Sequence, residues 1–390
     1  MSHQQWTPHR APFPVDLSDD VVFIVKSGFG TKERIPAWLE SHQPQNDLRN
    51  ILLVGDFASK PGYNYNTRKL PVYDPVASML DEGIFPDPLH PRLLKYSNLS
   101  TAIASGDTGL AHSLSRSFGW ELDALKFISG LELAHNKHPN KKWYIIVDDD
   151  TYMVKPSLQT LLGRLDPTNR HYLGNAVGDF EGRFAHGGSS AILSGAAMDE
   201  LFVRHPEIAF GAHLESLEEK FGDKLLATTL IKIGIYLDET HSRFFNGEQP
   251  WRAKLRVDRF CVPIVSFHRL SPSELRGVGK KLGSLTKTLR WMELWDVYDG
   301  PPMDDFIENW DHVGALDETT KTLKDVPTAR NCSQTCHNHP ETCLGWSWER
   351  EQRACHISPW IIIGNKDNNK ISGVNMLEVE KYTTQCSTQP

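Results

Sequence analysis

The sequence predicts an α/β domain with a mostly parallel sheet covered by helices on both faces, followed by a small disulfide-stapled module. Three observations carry that prediction. Short apolar, β-branched runs alternate with helical patterns over the first 150 residues; one of those runs, Trp143-Tyr-Ile-Ile-Val, ends in three consecutive carboxylates, Asp148, Asp149 and Asp150; and five of the six cysteines fall within the last sixty residues.

Length and composition permit this arrangement. The chain has 390 residues, 39% hydrophobic and 23% charged, enough for one large domain and a small one. A net charge of -7 without a Lys/Arg block argues against a nucleic-acid partner, which needs clustered positive surface. Met1 to Pro14 contain no apolar h-region, and no run approaches the roughly 18 apolar residues of a membrane span, so no signal peptide, anchor or span is expected within this sequence. The expected organisation is a tail over 1–17, the α/β domain over 18–300, a Pro- and charge-rich linker over 301–328 and the cysteine module over 329–390.

In chain order, Asp20 to Lys26 reads as a strand, Ser27-Gly-Phe-Gly30 as a glycine turn and Thr31 to Leu39 as the first turns of a helix. Asn50 to Asp56 is a second buried strand. Residues 56–118 hold many Gly, Pro, Asn and Asp with little periodicity and read as long surface loops. Phe118 to His135, with Leu122, Leu125, Phe127, Ile128 and Leu131 on one face, is an amphipathic helix, and Trp143 to Val147 a strand. A Pro-initiated helix follows over 156–165, then the strand Tyr172-Leu-Gly-Asn-Ala, the Gly-rich stretch Phe184 to Ser194, helices over 196–204 and 223–233, and a last strand over Val262 to His268. Uninterrupted apolar strands are those of a parallel sheet buried on both faces.

Three adjacent negative charges repel, so a cation is expected beside them. Divalent ions such as magnesium and manganese take hard oxygen ligands, and open α/β sheets bind ligands at the carboxyl ends of their strands. A solvated turn is the ordinary alternative, since Asp favours turns. Four other features bear on the choice: Gly187-Gly188, which lets a substrate approach the backbone; Asp223, where a helix begins; His268, after an apolar strand; and Arg34, on the first helix. Each also has an ordinary reading, respectively a turn, a first-turn acid favoured by the helix dipole, a packed histidine and a solvated cation.

Taken together, Val21-Val-Phe-Ile-Val-Lys-Ser with Thr31 to Glu40, Trp143 to Tyr152, Phe184 to Ser194, Gly222 to Ala227 and Phe267-His268 resemble, in order and spacing, the Fringe and core-1 β1,3-galactosyltransferase group, the inverting glycosyltransferase family 31, over about residues 18–270. The resemblance implies a GT-A fold, Rossmann-like, that binds a UDP-sugar with Mn2+ or another divalent cation. It implies that Asp150 and His268 ligate the metal, that Arg34, Asp148, Asp149, Gly187 and Gly188 meet the donor, and that Asp223 deprotonates the acceptor hydroxyl. An inverting transfer needs one base and a counter-charge for the departing UDP, whereas a glycoside hydrolase needs a second, neutral carboxylic acid that a cation-bound triplet would not keep protonated. The implied acceptor is a glycan, glycoprotein or small glycosylated molecule, and the implied setting the Golgi, the secretory lumen or the exterior. Relatives often carry a second acid before the base; here Gly222 stands there, and Leu225 and Ala227 replace polar and glycine residues. Glu215, Glu218 and Glu219 are upstream rivals for the base on what reads as a solvated helix face.

Cys332, Cys336, Cys343 and Cys355, with Trp346 and Trp348 between the last two, read as a short helix and a hairpin. No pair of CxxC knuckles suggests zinc, and such density in an oxidising compartment reads as disulfides. The pattern resembles the PAN/apple domain, an α+β module, which implies the pairs Cys332–Cys355 and Cys336–Cys343 and leaves Cys386 either for Cys261 or as a free thiol. Asn98-Leu-Ser100 and Asn331-Cys-Ser333 are glycosylation sequons. Two rival functions remain at this level. One is a non-catalytic carbohydrate-binding or adhesion protein with a degenerate transferase domain; the other is a metal-dependent sugar-nucleotide hydrolase. The sugar, linkage and acceptor are not legible in residues 56–118 and 235–260.

Overall fold

The computed structural model describes residues 11–43, 48–179 and 182–387. They fall into two compact units, one of Ala11–Gly247 with Val265–Thr286, the other of Glu248–Ile264 with residues 287–387.

The larger unit contains ten strands up to residue 194: β1 (Val21–Lys26), β2 (Ile51–Val54), β3 (Ser59–Tyr65), β4 (Arg68–Tyr73), β5 (Trp143–Asp148), β6 (Tyr152–Met153), β7 (Tyr172–Gly174), β8 (Ala176–Asp179), β9 (Gly182–Ala185) and β10 (Ala191–Ser194). Seven of them form one sheet in the order β3-β4-β2-β1-β5-β10-β7. β4, β2, β1 and β5 run parallel; β3 pairs antiparallel with β4, and β10 lies antiparallel between β5 and β7. This is the mostly parallel α/β sheet expected.

Strand side chains alternate between faces, and both faces are covered. Val22 and Ile24 of β1 and Tyr144 and Ile146 of β5 pack with Phe127, Ile128 and Leu131 of helix Phe127–Lys137 and with Leu226 and Leu230 of helix Gly222–Lys232. Phe23, on the other face, meets Trp38 of helix Arg34–His42 with ring centroids 6.5 Å apart. Gly130 brings the helix backbone close to the sheet, since a Cβ there would already touch Ile24 and Val54 at 3.6 Å.

Several expectations are corrected. Residues 56–118 are not loops: they form the β3–β4 hairpin and helices Pro75–Asp81, Pro91–Ala104 and Thr108–Phe118. The polar and Pro residues that suggested loops are helix starts, with Asp74, His90 and Asp107 accepting from the backbone N–H groups of Ala77, Arg92 and Leu110 and with Pro75 and Pro91 in the first turn. The expected strand over 262–268 shortens to Ser266–Phe267, because its partner β6 offers only two residues. Of the expected tail, residues 1–10 lie outside the described residues, while Val15 and Leu17 are buried and Val15 O accepts from Gln159 Nε2 at 2.7 Å.

Trp38 stacks on His42, whose Nδ1 lies 2.8 Å from Trp38 O while Nε2 accepts from the Met153 N–H at 3.1 Å. These partners define a neutral Nδ1–H tautomer. Burial, helped by Lys155, pushes the imidazole down to about 3. Because this folded-state value lies below the unfolded one of about 6.5, the unfolded chain binds protons that the folded chain refuses, so stability falls as pH drops from 6.5 towards 3, by about 1.4 kcal/mol per pH unit. Imidazole NMR at pH 5 is expected to show His42 still neutral with the proton on Nδ1; a charged ring at that pH contradicts the assignment.

In the smaller unit a five-stranded antiparallel sheet runs in the order Ile307–Asp311, Asn365–Val374, Gly345–Glu349, Ala354–Ser358, Lys321–Leu323. Residues 301–328 therefore supply two strands rather than only a linker; their Pro and charge content hid short, largely exposed edge strands. Helix Ala329–His337 packs Cys332 and Cys336 on Trp346 and Ile357. The bonds are Cys332–Cys355, Cys336–Cys343 and Cys261–Cys386, which settles the choice left open for Cys386. The third closes 125 residues of sequence within a unit whose helix-side core is small.

Candidate active site

The parallel pairing of β1 and β5 sets Lys26 opposite Asp148 at their carboxyl ends. The residues that follow therefore meet. Lys26 Nζ lies 2.6 Å from Asp148 Oδ1 and donates to both oxygens of Asp123 at 2.8 Å. Burial alone would depress this ammonium, but Asp123 and Asp148 more than offset it and its pKa is raised. Asp148 is correspondingly held low: burial opposes ionisation, and Lys26 followed by His268 outweighs it.

Asp149 turns inward. Ser27 Oγ and Thr31 Oγ1 donate to its Oδ2 at 2.6 and 2.7 Å, and Arg34 donates to Oδ1 at 3.2 Å. Burial dominates and, with Asp150 beside it, pushes the carboxyl up to about 6 despite Arg34. The same guanidinium nitrogen reaches Asp150 Oδ2 at 3.1 Å, leaving Asp150 Oδ1 to face His268.

His268 arrives through the short antiparallel pair of Ser266–Phe267 with β6, which brings the later segment beside the residues that follow the triplet. Its Nδ1 lies 3.3 Å from Gly247 O, so an Nδ1–H donates to the carbonyl and Nε2 is presented to the carboxylates, 3.2 Å from Asp150 Oδ1 and 3.9 Å from Asp148 Oδ2. Burial would lower the imidazole pKa; Asp150 and then Asp148 raise it. Whatever favours a proton at Nε2 favours a metal cation there. One ligand atom each from Asp148, Asp150 and His268 lie within 4.8 Å of one another, the one such cluster among the described residues. Two carboxylates and an imidazole fit a divalent ion of the manganese kind.

The Gly-rich stretch supports this centre from below. Thr151 Oγ1 donates to Gly188 O at 2.7 Å, and a Cβ on Gly188 would lie 2.2 Å from the His268 ring. Glycine at 188 thus makes room for the chain's own histidine, where the sequence suggested room for a substrate. Gly187 donates its N–H to Asp223 Oδ2 at 2.8 Å, and a Cβ on it would meet Phe127 at 2.8 Å. Asp223 sits in the first turn of helix Gly222–Lys232, its Oδ1 accepting from the Lys224 N–H at 2.9 Å. Burial raises its pKa, only partly opposed by the Gly187 N–H. At Gly222 a Cβ would lie 2.3 Å from Phe127, so Phe127 fills the place a second acid would need. The rivals are elsewhere: Glu215 pairs with Lys232 at 2.7 Å, Glu218 is exposed, and Glu219 accepts from the Lys220 N–H.

Four contributors escaped the sequence reading: Lys26, Asp56, Asp123 and Lys126. Asp56 accepts from the Phe29 N–H at 2.7 Å and lies 3.4 Å from Lys126 Nζ, which also donates to Ser27 O at 2.9 Å. The signal was present, since Lys26 and Asp56 follow apolar runs as Asp148 does. A cavity of about 340 Å3 opens here, lined by Lys26, Thr31, Arg34, Asp56, Asp123, Lys126 and the triplet. A groove of about 740 Å3 around Lys141, Lys142 and Arg204 lies instead at the amino end of β5, with no carboxylate triplet.

A family model described as Fringe-like matches residues 119–249, and one described as a PAN domain matches residues 308–373. No curated protein matches the chain. The Fringe-like match covers the stretch that carries the triplet, the Gly-rich segment and Asp223, and Fringe-like domains belong to the glycosyltransferases. The PAN match coincides with the cross-linked module.

Proposed function

We propose that this chain, which joins a Fringe-like glycosyltransferase domain to a C-terminal PAN module, is a metal-dependent inverting transferase. It would move a hexosyl or N-acetylhexosaminyl group from a UDP-sugar to a hydroxyl of a glycan, glycoprotein or small glycosylated acceptor. The observation that carries this reading is the convergence of Asp148, Asp150 and His268, the two carboxylates of which line the cavity at the carboxyl ends of β1 and β5.

A divalent ion held by Asp150 and His268, with Asp148 within reach, would neutralise charge gathering on the departing UDP. Every other role falls to the chain. Gly247 O fixes the His268 tautomer, and Arg34 ties Asp149 to Asp150 and supplies positive charge toward the donor. Lys26 and Lys126, saturated by Asp123, Asp148 and Asp56, stiffen the floor. Asp223, buried and held by two backbone N–H groups, would take the acceptor proton; burial strengthens it as a base. A side chain at Gly222 would meet Phe127, so the single acid Asp223 is the base this reading assigns.

Three disulfides suit an oxidising compartment, in keeping with the secretory route, and no described helix is long and apolar enough to cross a membrane.

Thermal unfolding with a panel of UDP-sugars, with and without Mn2+, tests the reading. One donor is expected to raise the melting temperature only with the cation, by about RT ln(1 + [L]/Kd) in free energy. No shift with any UDP-sugar, with or without Mn2+, overturns it.

A further inference from the structure

Among the residues that line the cavity, otherwise charged or small, one is aromatic. Trp120 lines the same cavity as Asp148 to Asp150 yet is 57% exposed. Phe221, 42% exposed, meets it edge-on with centroids 5.6 Å apart and planes at 78°. Lys220 Nζ lies 5.6 Å from the Trp120 ring centre and 5.2 Å from that of Phe221. The result is an uncovered aromatic ledge edged by an ammonium group.

The ledge is held in place. Helix Thr108–Phe118 stops at Gly119, where a Cβ would lie 2.5 Å from Ser115 O, and the turn that follows is closed by the Asp123 N–H on Trp120 O at 3.2 Å. Helix Pro91–Ala104 ties down both sides: Lys95 binds Glu121 at 2.6 Å, and Arg92 binds Ser216 O and Glu219 O. Trp120 stands three residues before Asp123, which holds Lys26, and Phe221 two before Asp223. The ledge therefore joins the cavity wall to the start of the helix that carries Asp223.

A pyranose ring has an apolar C–H face and a hydroxyl rim. It suits a flat exposed indole with polar groups at its margin, where stacking removes apolar surface from water while the hydroxyls stay solvated or bonded. The hydroxyl of a peptide serine or a simple alcohol offers no such face. We infer that Trp120, with Phe221, is the subsite that stacks a pyranose ring of the acceptor. This rests on the transferase reading for its meaning, but the binding can be measured without it.

The test is saturation-transfer NMR on the full chain with methyl glycosides of glucose, galactose, mannose and N-acetylglucosamine. At least one is expected to receive saturation at its ring C–H protons, with Trp120→Ala weakening its Kd about tenfold and Trp120→Phe only a few-fold. Circular dichroism and melting confirm that both variants fold. Equal binding by Trp120→Ala, or no saturation transfer to any glycoside, overturns the inference. Trp120-dependent glycoside binding in a protein that recognises no UDP-sugar keeps the subsite and removes the transferase reading.

Discussion

Asp150→Asn is expected to lower Mn2+-dependent UDP release by at least about 10^3-fold while leaving the fold intact. Asparagine keeps the side-chain volume and an oxygen for Arg34, which donates to Asp150 Oδ2 at 3.1 Å, but it removes the charge that faces His268 Nε2 at 3.2 Å. The charge balance explains the size of the effect. Asp56, Asp123, Asp148, Asp149 and Asp150 stand against Lys26, Arg34, Arg116 and Lys126 around the cavity, an excess of negative charge that a bound cation would offset. Without the cation that excess is a cost, visible in the way Asp150 helps burial to raise Asp149. The metal-free variant should therefore melt no lower than the wild type, whereas the rise produced by Mn2+ in the wild type should vanish. Wild-type turnover in the variant, or metal-free melting well below the wild type, contradicts this assignment.

The triplet could be read from sequence because a parallel strand buried on both faces is an unbroken apolar run, so its first charged residues mark its end. The same rule applied to Val21–Lys26 and Ile51–Val54 points at Lys26 and Asp56, but a terminal lysine ordinarily reads as solvent-facing and a lone aspartate as a turn. Only the register of β1 on β5, which sets Lys26 against Asp148, shows the lysine buried and paired. Asp123 and Lys126 were hidden for a related reason: on a helix they look like a solvated i,i+3 pair, and here the pair points into the sheet end. The helices over 75–118 were lost because Asp74-Pro75, His90-Pro91 and Asp107 are composed like turns while they act as helix starts. His268 was named as a ligand through the family resemblance alone, since its place depends on a two-strand pairing across more than a hundred residues, which spacing does not encode. The cysteine module was the more legible part, since its resemblance to the PAN/apple domain implied the Cys332–Cys355 and Cys336–Cys343 pairs that the structure contains.

Asp223→Asn should separate chemistry from binding. An asparagine oxygen can still accept the Gly187 N–H that now reaches Asp223 Oδ2 at 2.8 Å, so the Gly187-Gly188 backbone and the His268 ring above it should keep their places. Mn2+ binding and donor-dependent stabilisation are then expected to persist. Transfer should not: losing a positioned general base costs about 10^2 to 10^4-fold in kcat. The pH profile supplies a sharper mark. A base acts only when ionised, and burial raises Asp223 above the usual carboxylate range, so wild-type kcat should fall on acidification at a pH higher than an exposed aspartate would give. In Asp223→Asn that acidic limb should disappear from whatever transfer remains. An acidic limb that survives in the variant would move the role of base to another residue. Loss of Mn2+ binding together with transfer would show instead that Asp223 holds the Gly187-Gly188 support of the metal site and takes no acceptor proton.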